Sequence, residues 1–259
     1  MDRDTFRGIC RERRLCWGSV IIEHMTPHTV RTFGRAGYDW LWLDNEHAHH
    51  SYETIQEAVR TANDIGMITL LRVTQGEYPL IARALDMGVS GVIVPRVETP
   101  EQVRRIVDAA KYPPIGKRGF GFRPSLCGRT AMSMAERVED QNTRRFLVFQ
   151  IESRLGVENV EALLDAADGQ VDAVIFGPSD FQVELGKHDS PEAPELDAAT
   201  RAVSAACAAR HISNGVPVGS IDAAELWIDR GYNLITFMSD EGFMVRGACE
   251  GREALRGLE

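Results

Sequence analysis

The sequence predicts an α/β fold: one (β/α)8 TIM barrel spanning residues 1–259, with a long loop between strands 4 and 5. Three observations predict it. The 259-residue length is ordinary for a single barrel of this kind. Eight short apolar runs recur, rich in Val, Ile and Leu and without polar alternation, as in parallel strands covered on both faces. Amphipathic stretches separate most of them. That rhythm suits a barrel or an open doubly wound sheet, and eight units favour the barrel.

In order, the expected strands are Leu15–Ile22, Trp40–Leu43, Ile68–Val73, Gly91–Val94, Phe146–Ile151, Ala173–Phe176, Val216–Gly219 and Leu234–Met238. Between them, helical spacing runs over Tyr52–Asn63, Pro79–Met87, Pro100–Ala110, Val157–Ala167, Asp197–Ala209 and Ala223–Arg230. Gly37, Gly66, Gly88 and Gly231 each close a helix just before a strand. The rhythm breaks once, at 112–145. Between Gly116 and Ala135 this connection carries Lys117, Arg118, Arg123 and Arg129 and no acid. Long connections in compact domains are usually functional or disordered. The expectation is a loop over the barrel mouth that holds an anionic ligand, with Arg118 and Arg123 as candidates; a solvated basic surface loop is the alternative.

The bulk properties exclude several classes. A net charge of −9 argues against a nucleic-acid surface. No run of 18 apolar residues exists, so no membrane span is expected. The charged start, Met1-Asp2-Arg3-Asp4-Thr5, has no signal-peptide core, and a cytoplasmic protein is expected. The five cysteines, Cys10, Cys16, Cys127, Cys207 and Cys249, form no CxxC pair and suit reduced thiols.

Chemistry is expected where strands end, because the C-terminal ends of barrel strands form the mouth. Gln150-Ile151-Glu152 and Gly177-Pro178-Ser179-Asp180 each place an acid there. Two such carboxylates would seat a hard divalent cation; two unrelated loop acids fit the spacing equally well. The turn at Gly177–Asp180 offers backbone amides to a carboxylate. The second strand runs into Asp44, Glu46, His47, His49 and His50, a spacing that matches no standard zinc pattern. Asp44 can accept a hydrogen bond from His47 and leave its other nitrogen free to move protons. Glu46 can hydrogen-bond waters held by a metal, and His49 and His50 are expected at the surface or in support. Arg72, inside an apolar run, needs a partner such as Asp86, or an oxyanion to stabilise; the two roles are compatible. The three lysines, Lys111, Lys117 and Lys187, lie outside the strands. A Schiff-base aldolase therefore lacks its lysine, and carbonyl chemistry would need a metal Lewis acid. No Walker loop or GxGxxG follows a strand, so no nucleotide cofactor is expected.

These residues resemble a known family. Residues 38–47, ending Asp44-Asn45-Glu46-His47, are similar to its "GFDWLxIDxEH" signature, Leu71-Arg72-Val73 to "VRV", and Ala84-Leu85-Asp86-Met87-Gly88 to "LDxGAxG". Pro95-Arg96-Val97-Glu98-Thr99, the segment from Tyr112 to Gly119, Gln150-Ile151-Glu152 and Gly177-Pro178-Ser179-Asp180 extend the likeness over nearly the whole chain. The family is that of the HpcH/HpaI, metal-dependent, pyruvate-type aldolases. The resemblance implies a divalent ion (Mg2+, Mn2+ or Co2+) on Glu152 and Asp180, with Gln150 nearby. It implies Arg72 on the keto or enolate oxygen and His47 with Asp44 as acid–base pair. The amides at Gly177, Ser179 and Asp180 would hold the pyruvyl carboxylate. The reaction would be reversible cleavage of a 4-hydroxy-2-oxo acid into pyruvate and an aldehyde, in a homo-oligomer, hexamer or trimer, whose last helix packs on a neighbour.

The chain departs from the family at Ile21-Ile22-Glu23-His24, at Phe181-Gln182-Val183-Glu184 and at Phe237-Met238-Ser239-Asp240. The pyruvate end is therefore better specified than the aldehyde end. A related metal–enolate enzyme acting on a thioester of the malyl-CoA or citryl type, or a decarboxylase, is the second reading. A barrel that binds an oxo acid without turnover is the third.

Overall fold

The computed structural model describes residues 1–123, 132–188 and 193–258. Eight parallel strands close into a barrel in chain order. They are β1 (Cys16–Ile21), β2 (Trp40–Asp44), β3 (Ile68–Arg72), β4 (Gly91–Val94), β5 (Phe146–Ile151), β6 (Ala173–Phe176), β7 (Ser213–Val218) and β8 (Leu234–Ser239). Around and beneath them lie α1 (Arg3–Glu12), α2 (Pro27–Ala36), α3 (Tyr52–Asp64), α4 (Tyr78–Asp86), α5 (Pro100–Ala110), α6 (Met134–Arg144), α7 (Arg154–Glu158), α8 (Val160–Ala166), α9 (Pro178–Glu184), α10 (Pro194–Ala209), α11 (Ile221–Asp229) and α12 (Asp240–Arg256).

The apolar runs form strands because both of their faces are covered. Alternate residues face the helices, as Leu41, Leu43, Leu71, Leu147, Phe149 and Ile151 do in the outer core. The intervening residues fill the barrel, among them Trp40, Trp42, Ile68, Leu70, Phe146 and Val148. This period of two decides which strand-end side chains point inward. Counting on from Trp40 and Trp42 reaches Asp44; from Ile68 and Leu70, Arg72; from Phe146 and Val148, Gln150 and then Glu152; from Ala173 and Ile175, Gly177. The same parity in β1 runs from Cys16 through Val20 to Ile22.

Helix ends follow local chemistry. Thr26, Ser51, Ser153, Ser220 and Ser239 each accept a backbone N–H in the first turn that follows. Thr99 and Ser133 form reciprocal capping boxes with Gln102 and Glu136. Gly37 ends α2 at φ 87°, where a side chain would be strained. Cys10, Cys16, Cys207 and Cys249 are free thiols. No helix of the described residues is long and apolar enough to cross a membrane.

Four details differ from the sequence expectation. α1 is an added helix whose Phe6, Ile9 and Cys10 plug the lower barrel, with Phe6 edge-on to Phe146 at 4.9 Å. The stretch expected as one helix over Val157–Ala167 is two, broken at Asn159, whose side-chain amide donates to Glu98 O (2.8 Å). β7 starts three residues early, held there by hydrogen bonds: Ser213 donates to Cys10 O and the Asn214 backbone amide to Asn233 Oδ1. The 112–145 connection contains α6, signalled by its capping box. It also joins the lower end of α5 to the lower end of β5, and residues 112–118 pack at the foot of the barrel. Lys117 N donates to Asp108 O and Arg118 N to Lys111 O, on the last turn of α5.

Candidate active site

Parallel register places Asp44 beside Arg72 at the mouth. Arg72 donates from Nε to Asp44 Oδ1 (2.8 Å) and from Nη2 to Asp44 Oδ2 (2.6 Å), a fork on a carboxylate with no exposed surface. Its third nitrogen, Nη1, lies 2.9 Å from Glu46 Oε2. The guanidinium sits over the Trp42 ring at 4.8 Å. Burial alone would raise the Asp44 carboxyl, but the Arg72 hydrogen bonds and charge prevail and hold it below the usual range. Glu46 moves the other way: burial raises it, Asp44 and Asp180 add to that, and Arg72 only partly opposes.

Glu152 ends the inward row of β5. It is buried, and its carboxyl is pushed up to about 7, first by burial and then by the charges of Asp180 and Glu46. Two donors oppose this: Gln150 Nε2 on Oε2, and the Arg96 amide on Oε1 (3.0 Å). Arg96 adopts φ 53°, a left-handed turn that delivers the amide. Gly177 faces this carboxylate from β6; a Cβ there would sit 2.7 Å from Glu152 Cβ and 2.8 Å from Oε2, so only glycine fits. Asp180 follows in the first turn of α9. Ser179 is exposed beside it.

The mouth therefore gathers Asp44, Glu46, Glu152 and Asp180, linked by their mutual charge effects, with Arg72 the one permanent cation ion-paired to any of them among the described residues. Gln150 Oε1 is buried and has no hydrogen-bond partner among those residues. They contain no group of three or more His, Cys, Asp or Glu side chains poised as a complete metal cage.

Several expectations need correction. Asp44 spends its oxygens on Arg72 and on the Glu46 amide (3.0 Å), not on His47. The exposed His47 imidazole has Nε2 3.9 Å from Glu46 Oε2 instead. Asp86 does not hold Arg72; it lies at the foot on Arg118 Nη2 (2.5 Å). Arg118 is no mouth ligand: it is buried against Asp86, Gln141 and the Tyr112 ring. Lys117 pairs with Asp108 at the surface. Arg123 lines an outer groove with Tyr52, Arg83 and Asp86, away from the mouth. Arg129 and Cys127 lie outside the described residues. His49 is exposed as expected, whereas His50 donates to Ile22 O (2.5 Å).

Sequence reasoning missed Trp42 and the Arg96 amide. Trp42 shares the inward parity of Asp44 and was findable. Nothing local announces the turn at Arg96.

A parallel barrel whose mouth joins a guanidinium fork to a surplus of carboxylates has its charged groups where barrel enzymes carry out their chemistry. Comparison with known proteins agrees: residues 20–245 match the HpcH/HpaI aldolase/citrate lyase family. The chain is 32% identical over 233 residues to a 2-dehydro-3,6-dideoxy-6-sulfogluconate aldolase of Pseudomonas putida, covering 89% of each chain. It is 35% identical over 178 residues to a 2-keto-3-deoxy-L-rhamnonate aldolase of Klebsiella pneumoniae, covering 68% of this chain and 64% of that one. A crystal structure of an HpcH/HpaI aldolase from Desulfitobacterium hafniense superposes with a TM-score of 0.86 at 29% identity, over 94% of this chain and 93% of that one. The protein belongs to the HpcH/HpaI aldolase/citrate lyase family and is a carbon–carbon lyase.

Proposed function

We propose that this enzyme reversibly cleaves a 4-hydroxy-2-oxo acid into pyruvate, or a close 2-oxo acid, and an aldehyde, with the help of a divalent cation (Mg2+, Mn2+ or Co2+). The observation that carries the proposal is the carboxylate surplus around Glu152, whose carboxyl is raised to about 7 by burial and then by the charges of Asp180 and Glu46. A hard cation would relieve that repulsion, and two carboxylates with waters and substrate oxygens suffice for Mg2+. The unpartnered Gln150 Oε1 fits the same environment. Glu152 and Asp180 would hold the ion. When bound, it would supply Lewis-acid polarisation of the 2-oxo group.

The chain's own groups do the rest. Arg72, fixed by Asp44 and Trp42, would donate to the 2-oxo oxygen as it gains negative charge. A pre-set donor of this kind needs no reorganisation during the reaction. Removal of the 4-hydroxyl proton breaks C3–C4 and sends that electron pair toward the 2-oxo oxygen; proton return at C3 completes pyruvate. His47, exposed at the rim beside Glu46, is the proposed proton carrier. The turn at Gly177 and Ser179 would receive the carboxylate.

The printed names of both curated relatives describe 2-keto acid aldolases, which supports this reading for the chain. A basic loop at the mouth would have been compatible with the more anionic partner of the thioester reading, and Lys117 and Arg118 lie at the foot. We also propose a homo-oligomer, trimer or hexamer, because α12 exposes Met244, Val245 and Leu255. The test is pyruvate release from synthetic 4-hydroxy-2-oxo acids, with added Mg2+, Mn2+ or Co2+ and then with EDTA. Cleavage that survives chelation, or release of CoA from a thioester without any aldehyde product, would overturn the proposal.

A further inference from the structure

At the end of β8, Ser239 caps α12 by accepting the Gly242 amide (3.1 Å), which leaves the next side chain free of that duty. That residue, Asp240, is the only buried residue of α12 among those described. Its carboxylate turns toward β1 and accepts three successive amides: Ile22 N (2.9 Å) and Glu23 N (3.4 Å) on Oδ1, and His24 N (2.6 Å) on Oδ2. Consecutive amides converging on one anion form a nest, filled here by the chain's own carboxylate. From the other side, His50 Nε2 donates to Ile22 O. Thr26 then caps α2 and donates its own amide to His24 O (2.7 Å). The segment from Ile22 to Thr26 is thus fastened to the start of α12, to the loop after β2 and to α2, and Glu23 and His24 keep their side chains exposed at the rim.

The closed strand order sets β1 across the barrel from β5. If Glu152 and Asp180, at β5 and β6, take the oxo-acid end of the substrate, the half that leaves as aldehyde extends toward the opposite wall. That wall is the fastened segment, with Ile22 facing inward.

We propose that Asp240 is a positioning residue for the aldehyde half of the reaction: through its three amide hydrogen bonds it fixes the Ile22–His24 wall against which the carbonyl acceptor is oriented. This rests on the proposed function. It assigns Asp240 no contact with substrate, and it predicts that the two halves of the reaction separate when Asp240 is changed.

The experiment compares wild type, Asp240→Asn and Asp240→Ala, each with Mn2+, in three readouts. Amide hydrogen exchange of a peptide covering residues 20–27 reports the wall. Deuterium exchange into the methyl group of pyruvate reports the donor half without any aldehyde. Addition of pyruvate to glycolaldehyde, glyceraldehyde and succinic semialdehyde reports the acceptor half. Misplacement of a reactant wall costs roughly 10²-fold; Asp240→Ala should lose about that in kcat/KM for the aldehyde, Asp240→Asn less, while pyruvate exchange stays within about twofold. Both variants should also lose protection of the 22–24 amides. Unchanged protection, or an equal fall in both half-reactions, would overturn the proposal. Absence of pyruvate exchange in the wild type would overturn the proposed function instead, and amide protection would still decide whether Asp240 holds the wall.

Discussion

At the foot of the barrel, buried Arg118 faces Asp86 and Gln141, buried Arg145 faces Asp140 at 3.1 Å, and Lys111 donates to Asn142 O (2.8 Å) and Arg145 O (3.3 Å). At the mouth, Arg72 pairs with Asp44 and Glu46, while Glu152 and Asp180 have no ion pair among the described residues. Burying charge is costly at either end. The foot meets most of that cost with partners of its own, though burial lowers the Lys111 ammonium to about 8 and Arg118 Nε has no hydrogen-bond partner among the described residues. The mouth leaves it partly unmet: Glu152 stays raised to about 7 and Gln150 Oε1 stays unpartnered. Ion pairs mark architecture at the foot, and the carboxylates left without an ion pair mark the place at the mouth where a ligand would complete the electrostatics.

The sharpest way to break that comparison is to remove the surplus. Glu152→Ala and Asp180→Ala should reduce metal-dependent turnover below detection while the melting temperature holds or rises; measurable cleavage by either variant would show that the mouth needs no cation there. Arg72→Ala comes next. An oxyanion donor at such a site is worth roughly 3–4 kcal/mol, so pyruvate methyl exchange should fall by a corresponding factor. An unchanged exchange rate would remove Arg72 from its role.

At the foot the effect should fall on stability instead. Asp140→Ala leaves buried Arg145 without its carboxylate, and breaking such a pair costs about 3–5 kcal/mol. Denaturant unfolding measures it, and kcat per folded molecule should be unchanged. A smaller effect concerns pH. The folded chain holds a proton on Glu152 that the unfolded chain, with the ordinary value of 4.5, releases. The metal-free protein should therefore be most stable below pH 4.5 as far as this group is concerned, losing on the order of 3 kcal/mol as pH rises to about 7 and no more beyond it. Melting curves of the EDTA-treated protein and of Glu152→Gln test this, since the variant should lose the slope. Smallest of all, Lys117→Ala removes only the exposed pair with Asp108 and should change both stability and kcat/KM by less than about 0.5 kcal/mol; a large loss of activity would restore the basic loop to the mouth.

Most of the barrel was legible because burial on both faces writes itself as Val, Ile and Leu runs. The positions of Glu152 and Asp180 at the mouth were legible because Glu152 follows such a run directly and Asp180 lies in the first turn after one. What could not be read was pairing across strands. Asp44 meets Arg72 through the register of β2 with β3, which neither strand states alone, and so Asp44 was matched with nearby His47 and Arg72 with Asp86. The misplacement of Arg118 had a different cause. Its basic neighbourhood suggested a ligand, but a helix-to-strand connection returns to the end of the barrel opposite the mouth, and that rule outweighs local charge. Polar Ser213 and Asn214 hid the start of β7 because their partners, Cys10 O and Asn233, are distant in sequence.

The most direct test of the charge-surplus account is deuterium exchange into the pyruvate methyl group, followed by NMR, for wild type and Glu152→Gln with Mg2+, Mn2+ or Co2+ and again after EDTA. The account predicts exchange in the metal-loaded wild type that stops on chelation and is absent from the variant. Exchange that persists in EDTA, or in Glu152→Gln, would contradict it.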